Sequence, residues 1–390
     1  MSITLPSISR YVKRLERIFA SGRVTNNGEC VRELERRLRD VLGVPYLVLT
    51  SSGTLALQVA FRIFGLSGEI VTTPFSWVTT ASSMVWSGLR PRFVDIDASS
   101  FNLDPVLAAK AITSTTAAIV PVHVFGNPCD VEAFEGLARQ RSLPLIYDAA
   151  HAFGVRYGGD SVLQWGDASI LSLHATKLFH TIEGGALILH REEDYRRAWI
   201  AVNNGFDQYG TLVGIGVNGR MSELHAAVGL CLLETLGDQL ANQRKTAQTL
   251  RKLVGRRSGI QLQKLNSLAE ANHAFFPVVL PDEASRAEVE RELEQSGFAV
   301  RRYFWPPLNR IPGLDDGSFT PLADSLSRRV LCIRLHAEYR PDVLSQIADI
   351  VTKRLPDVEM TVAAALAPAG SHPAILASLD RVPAERLQSD

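Results

Sequence analysis

Between residues 31 and 42, apolar side chains recur at Val31, Leu34, Leu38 and Leu42, with arginine and glutamate between them. That spacing lays one apolar stripe along a helix, and Gly43 suits its end because glycine enters the left-handed region freely. Tyr46 to Thr50 is then a short apolar run, which predicts a strand. Residues 53–64 are apolar nearly all round, through Leu55, Ala56, Leu57, Val59, Ala60, Phe61 and Ile63. A helix without a polar face must be covered on every side, so it belongs inside a large domain. The alternation repeats, with strands expected at 69–73, 92–96, 117–122 and 143–147. Helices are expected at 78–86, 105–112 and 130–139, the last capped by Asp130. Short apolar strands separated by helices predict an α/β fold built on a large, mostly parallel sheet with helices on both faces.

Two further apolar runs, 168–173 and 186–189, have no long helix between them and predict a local hairpin or edge. A long helix is expected from residue 222 to about 254, weakened at Gly237. Beyond it lies a second α/β pattern, with strands at 275–280, 299–304 and 331–335 and helices at 284–295 and 343–354. The chain therefore divides into an N-terminal arm and large domain (1–235), a smaller C-terminal α/β domain (236–355) and a tail (356–390). The tail is rich in alanine, proline and serine without periodicity, which predicts a flexible segment.

Composition narrows the function classes. Lysine plus arginine equals aspartate plus glutamate at 41 each, so the formal charge is zero. That removes the electrostatic case for a dedicated nucleic-acid or membrane-surface protein. Arg10, Lys13, Arg14 and Arg17 lie near the start without the apolar stretch of a secretory signal. No run of about 18 apolar residues occurs, so no membrane span is expected. Cys30, Cys129, Cys231 and Cys332 are widely separated and read as reduced, buried thiols of a cytoplasmic protein. The nine histidines lack ligand spacing, and no metal is expected.

Ligands of open parallel sheets bind beyond the carboxyl ends of the strands, and several polar residues fall there. Thr50-Ser-Ser-Gly-Thr54 joins a strand to the buried helix, so free N–H groups would face an anion, with Gly53 allowing close approach and Thr54 adding a hydroxyl. An ordinary turn is the alternative. Asp148 ends a buried strand and needs a partner, either the protonated ring nitrogen of pyridoxal phosphate or a cap or salt bridge. Lys177 follows an apolar strand and precedes a glycine pair. A lysine kept from water there has a lowered pKa and becomes a Schiff-base nucleophile and proton carrier. Ser172 could give a hydroxyl to a phosphate, and Trp77 could stack on an aromatic ring or simply pack in the core. Gly214-Ile-Gly216-Val-Asn-Gly219 matches the dinucleotide pattern GxGxxG. The polar turn-forming residues before it leave no strand, so that pattern is set aside.

Taken together, these segments resemble the DegT/StrS family of nucleotide-sugar aminotransferases, pyridoxal-phosphate enzymes of fold type I. The resemblance covers roughly residues 5 to 355. It rests on Ser51-Ser-Gly-Thr54, Pro74-Phe-Ser-Trp77, Phe93-Val-Asp-Ile-Asp97, Val122-His-Val-Phe-Gly126, Asp148-Ala-Ala-His-Ala-Phe-Gly154, Ser172-Leu-His-Ala-Thr-Lys177, Glu183-Gly-Gly185 and Asn218-Gly-Arg-Met-Ser-Glu-Leu224. It implies that Lys177 carries the cofactor and shuttles a proton, and that Asp148 keeps the pyridine nitrogen protonated. It further implies that Trp77 stacks on the ring with His151 nearby, and that Gly53, Thr54 and Ser172 take the phosphate. Asn218 and Arg220 match residues that reach a neighbour's cofactor, which implies a homodimer with shared sites. The implied amino donor is L-glutamate. The implied acceptor is a keto-deoxy sugar on a nucleotide, with dTDP-4-amino-4,6-dideoxyglucose-forming enzymes the nearest subgroup, in amino-sugar, O-antigen or glycan biosynthesis.

Three positions depart from the family's pattern: His180 for asparagine, Gly219 for tyrosine and Arg334 for proline. All three are expected on the substrate side. Two alternatives remain on the same scaffold, a pyridoxal-phosphate sugar dehydratase and a non-catalytic sensor. Dehydratases of this type replace the lysine with histidine, so Lys177 argues against the first; intact Lys177 and Asp148 argue against the second.

Overall fold

Seven strands form one continuous mixed sheet in the computed structural model, which describes residues 4–255, 259–336 and 339–353. In chain order the strands are β1 (Tyr46–Thr50), β2 (Glu69–Thr72), β3 (Arg90–Phe93), β4 (Thr116–Val120), β5 (Ile146–Asp148), β6 (Arg156–Tyr157), β7 (Asp160–Ser161), β8 (Ala168–Ser172) and β9 (Gly185–Leu189). The large sheet runs β1-β9-β8-β5 and continues through β4-β2-β3, joined by parallel bridges at Ile119–Leu145 and Val122–Asp148. Only β9 runs against the rest. The expected parallel sheet is present.

Alternate strand residues point to opposite faces, and both faces are buried here. Leu47, Leu49, Leu145, Tyr147 and Leu171 pack on one side with the helices Glu29–Leu42 and Glu223–Leu233. Val48, Ile70, Ile146, Ile170 and Leu187 pack on the other with the mostly apolar helix Gly53–Ile63. Glu223 is buried and accepts from the N–H groups of Cys30 (2.7 Å) and Val31 (3.2 Å), so it caps the helix Glu29–Leu42.

The C-terminal strands are β10 (Gln261–Leu262), β11 (Ala269–Glu270), β12 (Phe276–Val279), β13 (Val300–Arg301) and β14 (Val330–Ile333). They form a small antiparallel sheet, β10-β12-β14-β13, while β11 joins β6 and β7. Helices Leu236–Val254 and Pro341–Thr352 close a separate apolar cluster over that sheet. Asp95, on the loop after β3, accepts from Leu322 and Ala323 N–H at 2.9 and 2.8 Å, so it holds the start of helix Pro321–Arg329.

Several sequence expectations are corrected. The hairpin of β8 and β9 forms, but β9 is internal, lying between β1 and β8, because every one of its residues is buried. The long helix is two, Glu223–Leu233 and Leu236–Val254, broken at Glu234 and Thr235 rather than Gly237. The break falls where a helix buried on all sides gives way to one buried along a single face. Gly237 lies in the first turn of the second helix, with open space around it. The strand expected at 299–304 stops at Arg301, because Tyr303 and Phe304 turn away to join an aromatic cluster with Phe275. Helices Ile8–Ser21, Glu192–Val202 and Pro321–Arg329 were not expected. The expected tail at 356–390 lies outside the described residues. No described helix is long and apolar enough to cross a membrane, and all four cysteines are buried and unpaired.

Candidate active site

Strands β5 and β8 end side by side, β1 ends beyond the intervening β9, and the chain leaving each contributes to one cavity of about 370 Å³. Gly53, Thr54, Trp77, Asp148, His151, Ser172 and Lys177 all line it. These residues come from four separate stretches of sequence, brought together because parallel strands deliver their loops to one edge.

Asp148 follows Ile146 by two residues, so both face the side covered by the helix Gly53–Ile63. Its carboxylate is buried and held at both oxygens. Thr80 Oγ1 donates to Oδ2 at 2.7 Å, and Ala150 N–H donates to Oδ1 at 3.1 Å. Thr80 is itself 2.7 Å from Ser76 Oγ. Burial pushes the Asp148 carboxyl above its ordinary range, opposed by those two hydrogen bonds and by the nearby charge of Lys177.

Past β8 the chain folds back tightly. Ala175 N–H donates to Ile182 O at 2.7 Å, and Thr181 N–H to Leu173 O at 2.8 Å. This clamp fixes Lys177 inside the cavity, half-buried, with Nζ 5.8 Å from the centroid of the Phe275 ring. Burial lowers its amine from the ordinary lysine value to about 8, against the opposing pull of Asp148. The amine is therefore far easier to deprotonate than a surface lysine.

Ser52 caps the helix Gly53–Ile63 by accepting from Leu55 N–H at 3.2 Å. The N–H groups of Gly53 and Thr54 have no partner within the helix and lie in the cavity wall. Glycine is needed at 53 because a Cβ there would meet the Ser172 backbone at 3.2 Å. Trp77 is 53% exposed, with its ring edge-on to Tyr303 at 5.9 Å, so ordinary core packing is not its role. His151 is buried between aromatic rings, and its Nδ1 accepts from Phe125 N–H at 3.3 Å. Burial drives its pKa well down, so the ring is neutral, with its proton on Nε2.

Asn218 and Arg220 do not line this cavity. Arg220 donates to Asn203 Oδ1 (2.8 Å) and Asn218 Oδ1 (2.9 Å) and borders a separate small hollow with Glu35 and Asn27. Of the three departures from the family pattern, His180 and Gly219 also lie outside the cavity lining. His180 is buried, donating to Thr4 O at 2.8 Å and accepting from Ile182 N–H at 3.2 Å. Gly219 is pressed against Leu55, where a Cβ would stand 2.6 Å from Cδ2. Arg334 borders a side cavity that shares Thr176 and Lys177 with the main one. The glycines of the set-aside GxGxxG pattern follow no strand.

Sequence reasoning missed Thr80, Tyr303 and Phe304, although the last two line the main cavity together with Arg301. Thr80 lies in the first turn of the helix Val78–Trp86, and no local pattern singles it out. Nothing local marks Tyr303 and Phe304, which follow the strand β13 of the C-terminal sheet.

The comparisons with known proteins agree with this architecture. The chain is 38% identical over 352 residues to a dTDP-4-amino-4,6-dideoxy-D-glucose transaminase of Shigella dysenteriae, covering 89% of this chain and 96% of that protein. It is 30% identical to a UDP-2-acetamido-2-deoxy-3-oxo-D-glucuronate aminotransferase of Pseudomonas aeruginosa, over 83% of this chain and 89% of that one. A crystal structure of DesI in the presence of its TDP-sugar product superposes with a TM-score of 0.85 at 30% identity, covering 93% of this chain and 94% of DesI. Residues 7–352 match the pattern of one family from end to end, and the chain belongs to that family, the DegT/DnrJ/EryC1/StrS aminotransferases.

Proposed function

We propose that this aminotransferase moves an amino group from L-glutamate to a keto-deoxy sugar carried on a nucleotide, with pyridoxal 5′-phosphate held at Lys177. The observation that carries the reading is the placing of one easily deprotonated amine and one buried carboxylate in the same cavity. The donor set suits that cofactor. Asp148 is a buried carboxylate without an ion-pair distance to any described cation, and a protonated ring nitrogen would satisfy it. Gly53 and Thr54 N–H, with the Thr54 and Ser172 hydroxyls, offer donors to a phosphate. The exposed face of Trp77 offers a flat surface to an aromatic ring.

Pyridoxal phosphate, when bound, supplies an aldehyde that takes up amines and a ring that withdraws electrons from the carbon losing its proton. The protein's share is acid–base control and positioning. With the cofactor held, Lys177 would be the base that takes the proton from the donor carbon and returns one at the neighbouring position. Its lowered pKa suits both directions near neutral pH. Asp148 keeps its charge for the ring nitrogen, held in place by Thr80 and Ala150. Neutral His151 adds a donor at Nε2 without a competing charge. Asn218 and Arg220, outside this chain's own cavity, are proposed to complete the site of a second copy in a homodimer.

The named relatives support nucleotide sugars as the acceptor class, and the Shigella dysenteriae transaminase favours a dTDP-linked 4-keto-6-deoxy sugar. Purified protein loaded with pyridoxal phosphate and given L-glutamate should aminate one of a panel of nucleotide-linked keto sugars, read by mass spectrometry. Failure on every sugar of the panel, with cofactor bound, would defeat the proposal.

A further inference from the structure

Arg334 leaves β14 one residue past Ile333, its own N–H fixed to Ala299 O at 3.2 Å. The guanidinium is half-buried, and its Nη1 is buried without any hydrogen-bond partner. The ionisable groups that act on it most strongly are Arg301, Tyr303 and Tyr339, and it in turn acts on His180; none of these is a carboxylate. A guanidinium taken from water without an anion is costly, and a like charge at Arg301 adds to the cost. That cost is retained on the wall of a side cavity of about 50 Å³, room on the order of a few water molecules.

Among the described residues the lining of this side cavity contains no acidic side chain, and it shares Thr176 and Lys177 with the main cavity. Its glutamines are already committed. Gln243 Nε2 donates to His273 O at 2.8 Å and Gln239 Nε2 to Thr4 Oγ1 at 3.0 Å. Among the described residues Arg334 is thus a cationic donor left open beside the reactive amine. We propose that Arg334 is the anchor of a carboxylate-binding subsite contiguous with Lys177, which fixes a carboxylate-bearing substrate while its reacting carbon lies at the amine. The subsite deepens the amino-transfer reading and depends on it only for the identity of the substrate. Two sources share this chemistry: the carboxylates of the amino donor, and the carboxylate of a uronate-type sugar. A forked guanidinium suits either, since it can offer two parallel N–H groups to one carboxylate.

The test compares wild type with Arg334→Gln and Arg334→Lys, using glutarate, a dicarboxylate without an amine, as the probe. Glutarate binding, measured by calorimetry on cofactor-loaded protein, should weaken about 10- to 100-fold in Arg334→Gln, with Arg334→Lys between the two. The steady-state KM values then assign the source. A rise confined to the amino donor, larger than any fall in kcat, assigns the donor; a rise confined to a uronate sugar assigns the acceptor. The cofactor's visible band reports whether each variant still folds. Should Arg334→Gln lose that band, competition of glutarate against the amino donor in wild type carries the test. Wild-type enzyme that aminates a sugar yet does not bind glutarate, or variants with unchanged glutarate affinity, overturns the subsite alone. Glutarate binding that depends on Arg334, in a protein that aminates nothing, overturns the reaction and supports the subsite.

Discussion

Thr80, on the helix Val78–Trp86, donates from Oγ1 to Oδ2 of Asp148 at 2.7 Å, tying a residue of the covering helix to the end of a central strand. The carboxylate is buried, which raises its pKa, and that bond opposes the rise by favouring the charged form while it aims the group. Thr80→Val keeps the shape and removes the donor. It should cost about 1–3 kcal/mol of stability in urea unfolding and lower kcat about 10-fold. Thr80→Ser should restore most of both. Equal kcat in wild type and Thr80→Val would remove Thr80 from any positioning role.

Asp148→Asn preserves size but cannot hold a proton on a ring nitrogen. Turnover should fall about 10²- to 10⁴-fold, while the protein still takes up pyridoxal phosphate through Lys177. Stopped-flow spectra of the donor half-reaction separate the two effects, and an unimpaired rate would refute the assigned partner of Asp148.

Lys177→Ala removes the amine altogether. Activity should drop by at least about 10³-fold, and the visible band of the bound cofactor should vanish. Retention of that band in the variant would mean that another residue carries the cofactor.

The amine of Lys177 is pushed down to about 8, against an ordinary lysine value of 10.5. Only the neutral amine attacks an aldehyde, and the neutral form predominates above its pKa. The rate at which cofactor-free protein takes up pyridoxal phosphate should therefore climb with pH and level off above about 8. The same depression has a sign for stability. The unfolded chain binds more protons between about 8 and 10.5, so this group's contribution rises with pH across that window and is smallest below it. Uptake that climbs to pH 10 without levelling would contradict the burial assigned to this lysine.

Gly185 begins β9 against the turn at Ser52. A Cβ there would stand 2.4 Å from the Ser52 carbonyl carbon, and backbone cannot yield as a flexible side chain does. Gly185→Ala should destabilise the protein by about 1–3 kcal/mol and weaken cofactor retention, because the displaced turn carries Gly53 and Thr54. Chemical denaturation, together with the cofactor released on dialysis, measures both.

Much of the site was legible one residue at a time. Asp148 stood out because a carboxylate at the end of an apolar strand needs a partner, and Lys177 because a lysine between an apolar strand and a glycine pair is poorly solvated. Other quoted motif residues are structural: Glu223 caps a helix, Asp95 holds the start of another, and buried His123 stacks on Tyr147 at 4.5 Å. Sequence similarity alone cannot separate these roles, since a misplaced cap disturbs the fold as a misplaced catalytic group disturbs the chemistry.

By itself the sequence determined the alternation of strand and helix and the two-sided burial of the sheet, and it singled out Lys177 and Asp148 as candidates. The first two follow from local periodicity, while the candidates came from the solvation of single groups together with the family resemblance. Only the tertiary structure decided that β9 lies inside the sheet, that Thr80 holds Asp148, and that Tyr303, Phe304 and Arg334 come from the C-terminal sheet to the cavity of Lys177. Each is a meeting of segments distant along the chain. Which segments meet is fixed by how whole faces pack together, and no short stretch of residues carries that information.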